Sequence, residues 1–238
     1  MPEFGRQGTY DVVAIGSGFG TLFFVEGLLR KRPRVRVLIL ERGRANSHAW
    51  QLMHDKNSDI DPESTYRRDP AHKRWNFTIG LGGGTNCWFG HTPRFHPNDF
   101  RLRSIYGVLQ DWPVDYVSLE PYYLAAERHM SISGSEEMGA ILPRSGLFPL
   151  PPHVTTSIDR IMRAAQPQFH FPIATARASK ANGERGRCCS SARCSRCRIS
   201  CIGPGRFPLI GPTLDGLPAE PLARTFTRPF CAKQVSWL

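Results

Sequence analysis

Residues 10–20 read YDVVAIGSGFG, and no other stretch of the 238-residue chain restricts its fold so tightly. The apolar run is broken only by Asp11, as in a buried parallel strand, and it ends in Gly16-Ser17-Gly18-Phe19-Gly20. Next comes TLFFVEGLLRKR, where Phe23, Phe24, Leu28 and Leu29 predict a helix packed on a sheet. Arg30, Lys31 and Arg32 suit the negative end of a helix dipole, and Pro33 stops the helix. Residues 35–40, VRVLIL, predict a second strand, closed by Glu41-Arg42-Gly43. A strand–helix–strand unit this short implies a parallel sheet, so the expected fold class is α/β.

The turn between strand and helix also carries chemistry. Gly16 and Gly18 let the backbone turn sharply and approach a phosphate, and a helix N-terminus offers unpaired N–H groups. Glu41 closes the second strand 23 residues after Gly18, where a carboxylate accepts hydrogen bonds from a ribose. The third fingerprint position is Thr21 rather than Gly or Ala, which loosens helix–sheet packing. A glycine pair alone also fits an ordinary tight turn, and Glu41 alone fits a solvated strand end. The order strand, turn, helix, strand, carboxylate favours a dinucleotide site, and Glu41 disfavours a 2′-phosphate and hence NADP.

The rest of the chain is less regular. Residues 44–76 are polar and predict a surface excursion with one short helix. Residues 77–90, FTIGLGGGTNCWFG, form a second glycine block whose N–H groups can hold an anion or lie against a flat ring; a plain glycine loop is the alternative. In RFHPNDF (94–100), Asn98 or Asp99 is a candidate cap. In WPVDYVSLEPYYLAAERHM (112–130) a helix is expected from Ser118, with Trp112, Tyr122 and Tyr123 packing it. A proline-rich arm covers 143–153, and a short helix is expected within 154–166.

The three blocks DVVAIGSGFG–LILERG, GLGGGTNCWFGHTPRFHPNDF and WPVDYVSLEPYYLAAE, in that order and spacing, resemble the glucose–methanol–choline (GMC) oxidoreductases, nearest their bacterial sugar dehydrogenase and pyranose oxidase branch. The resemblance covers roughly residues 10–135 and implies a Rossmann-like FAD/NAD(P)-binding domain, here incomplete, that binds FAD. It implies cofactor contacts from Gly16, Gly18, Phe19, Gly20, Glu41 and Arg42, and from Gly83, Gly84, Thr85 and Asn86, with Trp88 and Gly90 beside the flavin ring. Some relatives carry a flavin-bonded histidine where this chain has Cys87, so a histidyl flavin is not expected; a cysteinyl bond is the alternative to a small buried thiol. Arg94 is expected in a structural ion pair, and His91 and His96 at surface or turn positions.

The chain changes character near residue 177. Residues 177–238 hold 11 basic and 3 acidic side chains and six of the seven cysteines. Within RCCSSARCSRCRISC (187–201), thiolates at short spacing can bind an Fe–S cluster or zinc; disulfides and plain thiols are the other readings. The resemblance implies a possible 3Fe–4S cluster on Cys188, Cys189, Cys194 and Cys197, but the family-like sequence breaks off directly after Cys197. Residues 202–238 contain six prolines, and no histidine follows His170 to act as the base expected of the family's C-terminal part. The expectation is therefore a truncated or frame-shifted chain that is not a competent enzyme alone.

The expected organisation is 1–142 as the N-terminal part of the FAD-binding domain, 143–187 as linker and start of the substrate side, 188–201 as a cysteine-rich segment and 202–238 as an irregular tail. An intact relative would oxidise a sugar or alcohol at a CH–OH group and pass electrons to a quinone, a cytochrome or another acceptor, with a small export subunit as a possible partner. The alternatives are a non-catalytic FAD-binding fragment and a basic module for nucleic acid or acidic lipid; no specific nucleic acid is expected, because aromatics are not interleaved with the basic residues. The start of the chain lacks the apolar run of a secretory signal and no run reaches the length of a membrane span, so a cytoplasmic location is expected, or a periplasmic one through partner export.

Overall fold

The computed structural model describes residues 9–75, 77–181 and 186–189. Strands β1 (Val12–Ile15) and β2 (Val37–Leu40) pair in parallel, Val12 opposite Val37 and Ile15 opposite Leu40. Helix α1 (Phe19–Lys31) crosses between them. The strand–helix–strand unit of an α/β fold is therefore present as a small parallel sheet.

Alternation along the strands decides which side is packed. Val37 and Ile39 are buried with Val25 and Leu29 of α1, and Val12, Ala14, Leu28 and Val35 pack around them. Leu22, Val25 and Leu29 form the buried stripe of α1, at the three- and four-residue spacing of one helix face. Phe24, expected in that stripe, is 56% exposed, because it lies one residue off the stripe beside Val25. The strands were also expected to be buried on both faces. Instead Val13 and Ile15 are 54% and 85% exposed, so only the α1 side of the sheet is covered among the described residues.

The described residues form two compact units, one running to Trp88 and one starting at Phe89. In the first unit, the polar excursion holds helix α2 (His48–His54), capped by Ser47, whose hydroxyl accepts from Trp50 N at 3.2 Å. A 3₁₀ turn follows at Pro62–Thr65.

In the second unit, a 3₁₀ turn at Pro97–Arg101 leads into α3 (Leu102–Tyr106). His96 is its N-cap and Asp99 completes the capping box by accepting from His96 N at 2.7 Å, so of the two expected caps Asp99 takes part. Helix α4 (Tyr116–His129) starts earlier than expected, because Asp115 caps it by accepting from Ser118 N at 2.7 Å. Ser118 is thus inside the helix, and Tyr122 is exposed, not packed. Helix α5 (Ser157–Ala165) has the Thr156–Asp159 capping box. Phe100, almost fully buried, is ringed by Phe95, Trp112 and Tyr116.

Arg94 lies in the interior of this second unit. Its Nε and Nη2 donate to the two Glu127 oxygens at 2.8 and 3.0 Å, and its Nη1 donates to Glu120 at 3.0 Å and to Tyr116 Oη at 3.2 Å. Burial opposes the guanidinium charge, but the hydrogen bonds it donates to Glu127, Tyr116 and Glu120 outweigh it and hold the group above its ordinary pKa. The expected structural ion pair is what the residue makes.

The one-sided sheet has a measurable consequence. Ile39→Ala should cost about 2–5 kcal/mol of stability, because it opens a cavity in the α1 core. Ile15→Thr should change stability by less than about 0.5 kcal/mol, because that side chain is largely exposed. Chemical denaturation of the two variants checks this.

Candidate functional site

The first glycine turn follows directly from β1. Gly16 N–H donates to Leu40 O at 2.7 Å, which carries the sheet ladder one step beyond Ile15, and Gly16 then turns with φ of 83°, a region open to glycine. Gly18 is the N-cap of α1 and supplies no side-chain cap, so the first N–H groups of the helix have no side-chain acceptor there. A Cβ built on Gly16, Gly18 or Gly20 would meet nothing within 4 Å. The turn is therefore an open, N–H-lined hollow at the positive end of a helix dipole, which suits a pyrophosphate.

Glu41 stands beside this turn, held by three hydrogen bonds. Its Oε2 accepts from Ser17 N at 3.0 Å and from Ser17 Oγ at 2.7 Å, and its Oε1 accepts from Gly43 N at 3.0 Å. A carboxylate offers about four acceptor sites, so one remains for a ribose hydroxyl. Arg42, next to it, is exposed.

The second glycine block closes on the first. Gly82 N–H donates to Ser17 Oγ at 2.8 Å, and a Cβ built on Gly83 would lie 3.4 Å from Gly18 Cα. Trp88 sets its ring edge-to-face with Phe19, the first residue of α1, with centroids 4.9 Å apart. Gly16, Gly18, Phe19, Gly20, Glu41, Gly83 and Trp88 are thus brought to one place in the first unit, with Gly84 exposed at the edge of the 3₁₀ turn Gly83–Asn86.

Two residues of that turn differ in what they leave available. Thr85 is buried, and its hydroxyl has no partner among the described residues. Asn86 turns inward: its Nδ2 donates to Leu81 O and Gly83 O at 2.9 and 3.1 Å, and its Oδ1 accepts from Gln51 Nε2 at 3.2 Å. Its side chain therefore shapes the loop from within. Cys87 is buried, with its thiol 3.7 Å from Gly84 O, the packing of a small apolar side chain.

Gly90 belongs to the second unit. Its carbonyl accepts from Ala176 N at 2.8 Å and from Thr175 Oγ1 at 2.5 Å, which anchors the segment around residue 175. Of the cysteine cluster, Cys188 and Cys189 are described, and Cys188 N donates to Ala178 O at 2.8 Å. Cys194, Cys197 and Cys201, with the whole 202–238 tail, lie outside the described residues. Among the described residues no group of three or more His, Cys, Asp or Glu side chains is placed to hold a metal, so the 3Fe–4S expectation gains no support.

Three contributors escaped the sequence reading. Ser17 is fully buried and joins both glycine blocks to Glu41; the clue was its place as the one side chain between the two glycines. Gln51 of α2 reaches 35 residues ahead to Asn86, a pairing no local pattern announces. Gly43 passes so close to Gly80 that a Cβ there would sit 2.3 Å from Gly80 N.

No family model matches the chain. It is 30% identical over 233 residues to the fructose dehydrogenase large subunit of Gluconobacter japonicus, an alignment covering 84% of this chain and 42% of that protein. It is 30% identical over 203 residues to paromamine 6′-oxidase of Streptomyces fradiae, covering 78% of this chain and 35% of that one. It is 36% identical over 156 residues to 2-methyl-1,2-propanediol dehydrogenase of Mycolicibacterium austroafricanum, covering 60% and 28%. The chain belongs to the GMC oxidoreductases. It spans less than half the length of these relatives.

The Gly43–Gly80 approach gives a sharp test of the site's construction. Gly43→Ala forces backbone against backbone, so it should lower the melting temperature and displace the Glu41 end of β2 from the turn. Thermal melting, with the Ser17 amide shift followed by NMR, measures both effects.

Proposed function

We propose that this chain supplies the FAD-binding part of an oxidoreductase acting on CH–OH groups of sugars or alcohols. Residues 1–142 are the N-terminal part of a Rossmann-like domain in this reading. The observation that carries it is the open turn at Gly16–Gly20, uncapped at the start of α1 and flanked by a fixed Glu41. Similarity to a fructose dehydrogenase large subunit, a paromamine 6′-oxidase and a 2-methyl-1,2-propanediol dehydrogenase adds support, since these names denote sugar and alcohol oxidoreductases.

The roles follow from the geometry. N–H groups at the start of α1 receive the pyrophosphate, and the remaining acceptor site on Glu41 takes a ribose hydroxyl. Gly84 leaves room for a flat ring while Gly83 closes on Gly18, with the Thr85 hydroxyl as a candidate hydrogen-bonding group and Trp88 as an aromatic wall. FAD, when bound, supplies the two-electron acceptor for a hydride from the substrate carbon. A quinone, a cytochrome or another acceptor would be the partner that takes up the electrons. The name of the fructose dehydrogenase large subunit denotes a multisubunit protein, and a partner subunit for this chain is part of the proposal.

The test is a titration of the purified chain with FAD, NAD and NADP, read by calorimetry. FAD should bind tightest, and Glu41→Arg should weaken it by about tenfold or more, through loss of a charge-assisted hydrogen bond. Preference for NADP would contradict the assignment, and unchanged affinity in Glu41→Arg would remove Glu41 from the site.

A further inference from the structure

We propose that Ser17 is a positioning residue of the nucleotide site, aiming Glu41 so that it accepts from a single ribose hydroxyl. The inference rests on the FAD reading above and concerns a side chain that itself points away from the ligand. Ser17 is fully buried. Its hydroxyl donates to Glu41 Oε2 at 2.7 Å and accepts from Gly82 N at 2.8 Å, and its backbone N–H donates to the same Oε2 at 3.0 Å.

A carboxylate at a strand end ordinarily rotates and presents either oxygen. Here Oε2 is filled by two Ser17 donors, and Oε1 is held by Gly43 N at 3.0 Å. The one acceptor direction left belongs to Oε1 and is fixed in space. A fixed single acceptor takes one hydroxyl and not a vicinal pair. It therefore distinguishes the 2′- from the 3′-hydroxyl of the adenosine ribose. The same serine hydroxyl satisfies the buried Gly82 N–H, so the second glycine block is set by the same atom that sets the carboxylate.

Removal of the Ser17 hydroxyl leaves Oε2 with the backbone N–H of residue 17 alone, opens a second acceptor direction on the carboxylate and orphans the buried Gly82 N–H. Affinity then falls, and so does the discrimination between hydroxyls. A purely structural role lowers affinity for every nucleotide alike and leaves their ratio untouched.

The experiment measures binding of FAD, ADP, 2′-deoxy-ADP and 3′-deoxy-ADP to the purified chain and to Ser17→Ala by calorimetry, with circular dichroism and melting as fold controls. Ser17→Cys, close in volume with a weaker donor, is measured beside it and is read in the same way if Ser17→Ala does not fold. The wild-type chain should bind FAD and ADP and should bind one deoxy analogue about tenfold more weakly than ADP, the other within about twofold. In Ser17→Ala the affinity for ADP should drop about tenfold and the two analogues should come within about twofold of ADP. An unchanged ratio in a folded variant overturns the proposal. So does a wild-type chain that binds FAD but treats both analogues alike, which leaves the FAD reading standing. A wild-type chain that binds neither FAD nor ADP overturns the FAD reading and this proposal with it.

Discussion

The candidate site depends on one buried hydroxyl. Ser17 Oγ sits between a carboxylate at the end of β2 and a backbone N–H of the second glycine block, donating to one and accepting from the other. Glycine-dense backbone has little intrinsic preference for any one shape. Two such segments, 65 residues apart in sequence, acquire a defined mutual arrangement because a single side chain satisfies polar groups on both sides. In a buried setting an unsatisfied partner is costly, so the arrangement is more strongly enforced than a surface hydrogen bond would suggest.

The remainder of the first unit serves this junction. Packing of α1 on β1 and β2 fixes the height of the turn through Val25, Leu29, Val37 and Ile39. The register Ile15 to Leu40 then places Glu41 level with Ser17. Asn86 and Gln51 hold the second loop from behind, and the Phe19–Trp88 contact fixes it at the helix start. The N–H groups at the uncapped start of α1 are indifferent to sequence and suited to a phosphate.

Much of this was legible in the sequence, and the boundary has physical causes. Period and punctuation located β1, α1 and β2, because a buried strand, a glycine turn and a helix stopped by Pro33 are each local signals. The glycine turn between β1 and α1 was legible for the same reason. What failed was orientation. Phe24 and Tyr122 were expected in packed faces, yet hydrophobic character alone does not say which side of a helix meets a neighbour. Asp115, not Ser118, starts α4, since two capping residues three apart compete and only the chain's approach decides. The Asn86 amide oxygen accepts from Gln51, a partner 35 residues away that no local pattern announces. Long-range pairings of this sort leave no periodic trace.

Amide hydrogen exchange, read residue by residue by NMR with and without FAD, tests the account most directly. Before FAD is added, the Ser17 and Gly82 amides should be protected, since they are bonded to Glu41 and to the Ser17 hydroxyl, and the Phe19 and Gly20 amides at the open helix start should exchange fast. Saturating FAD should slow Phe19 and Gly20 selectively. FAD that leaves those two amides unchanged while slowing exchange elsewhere, or Ser17 and Gly82 amides that exchange freely throughout, would contradict a preformed nucleotide turn built around Ser17.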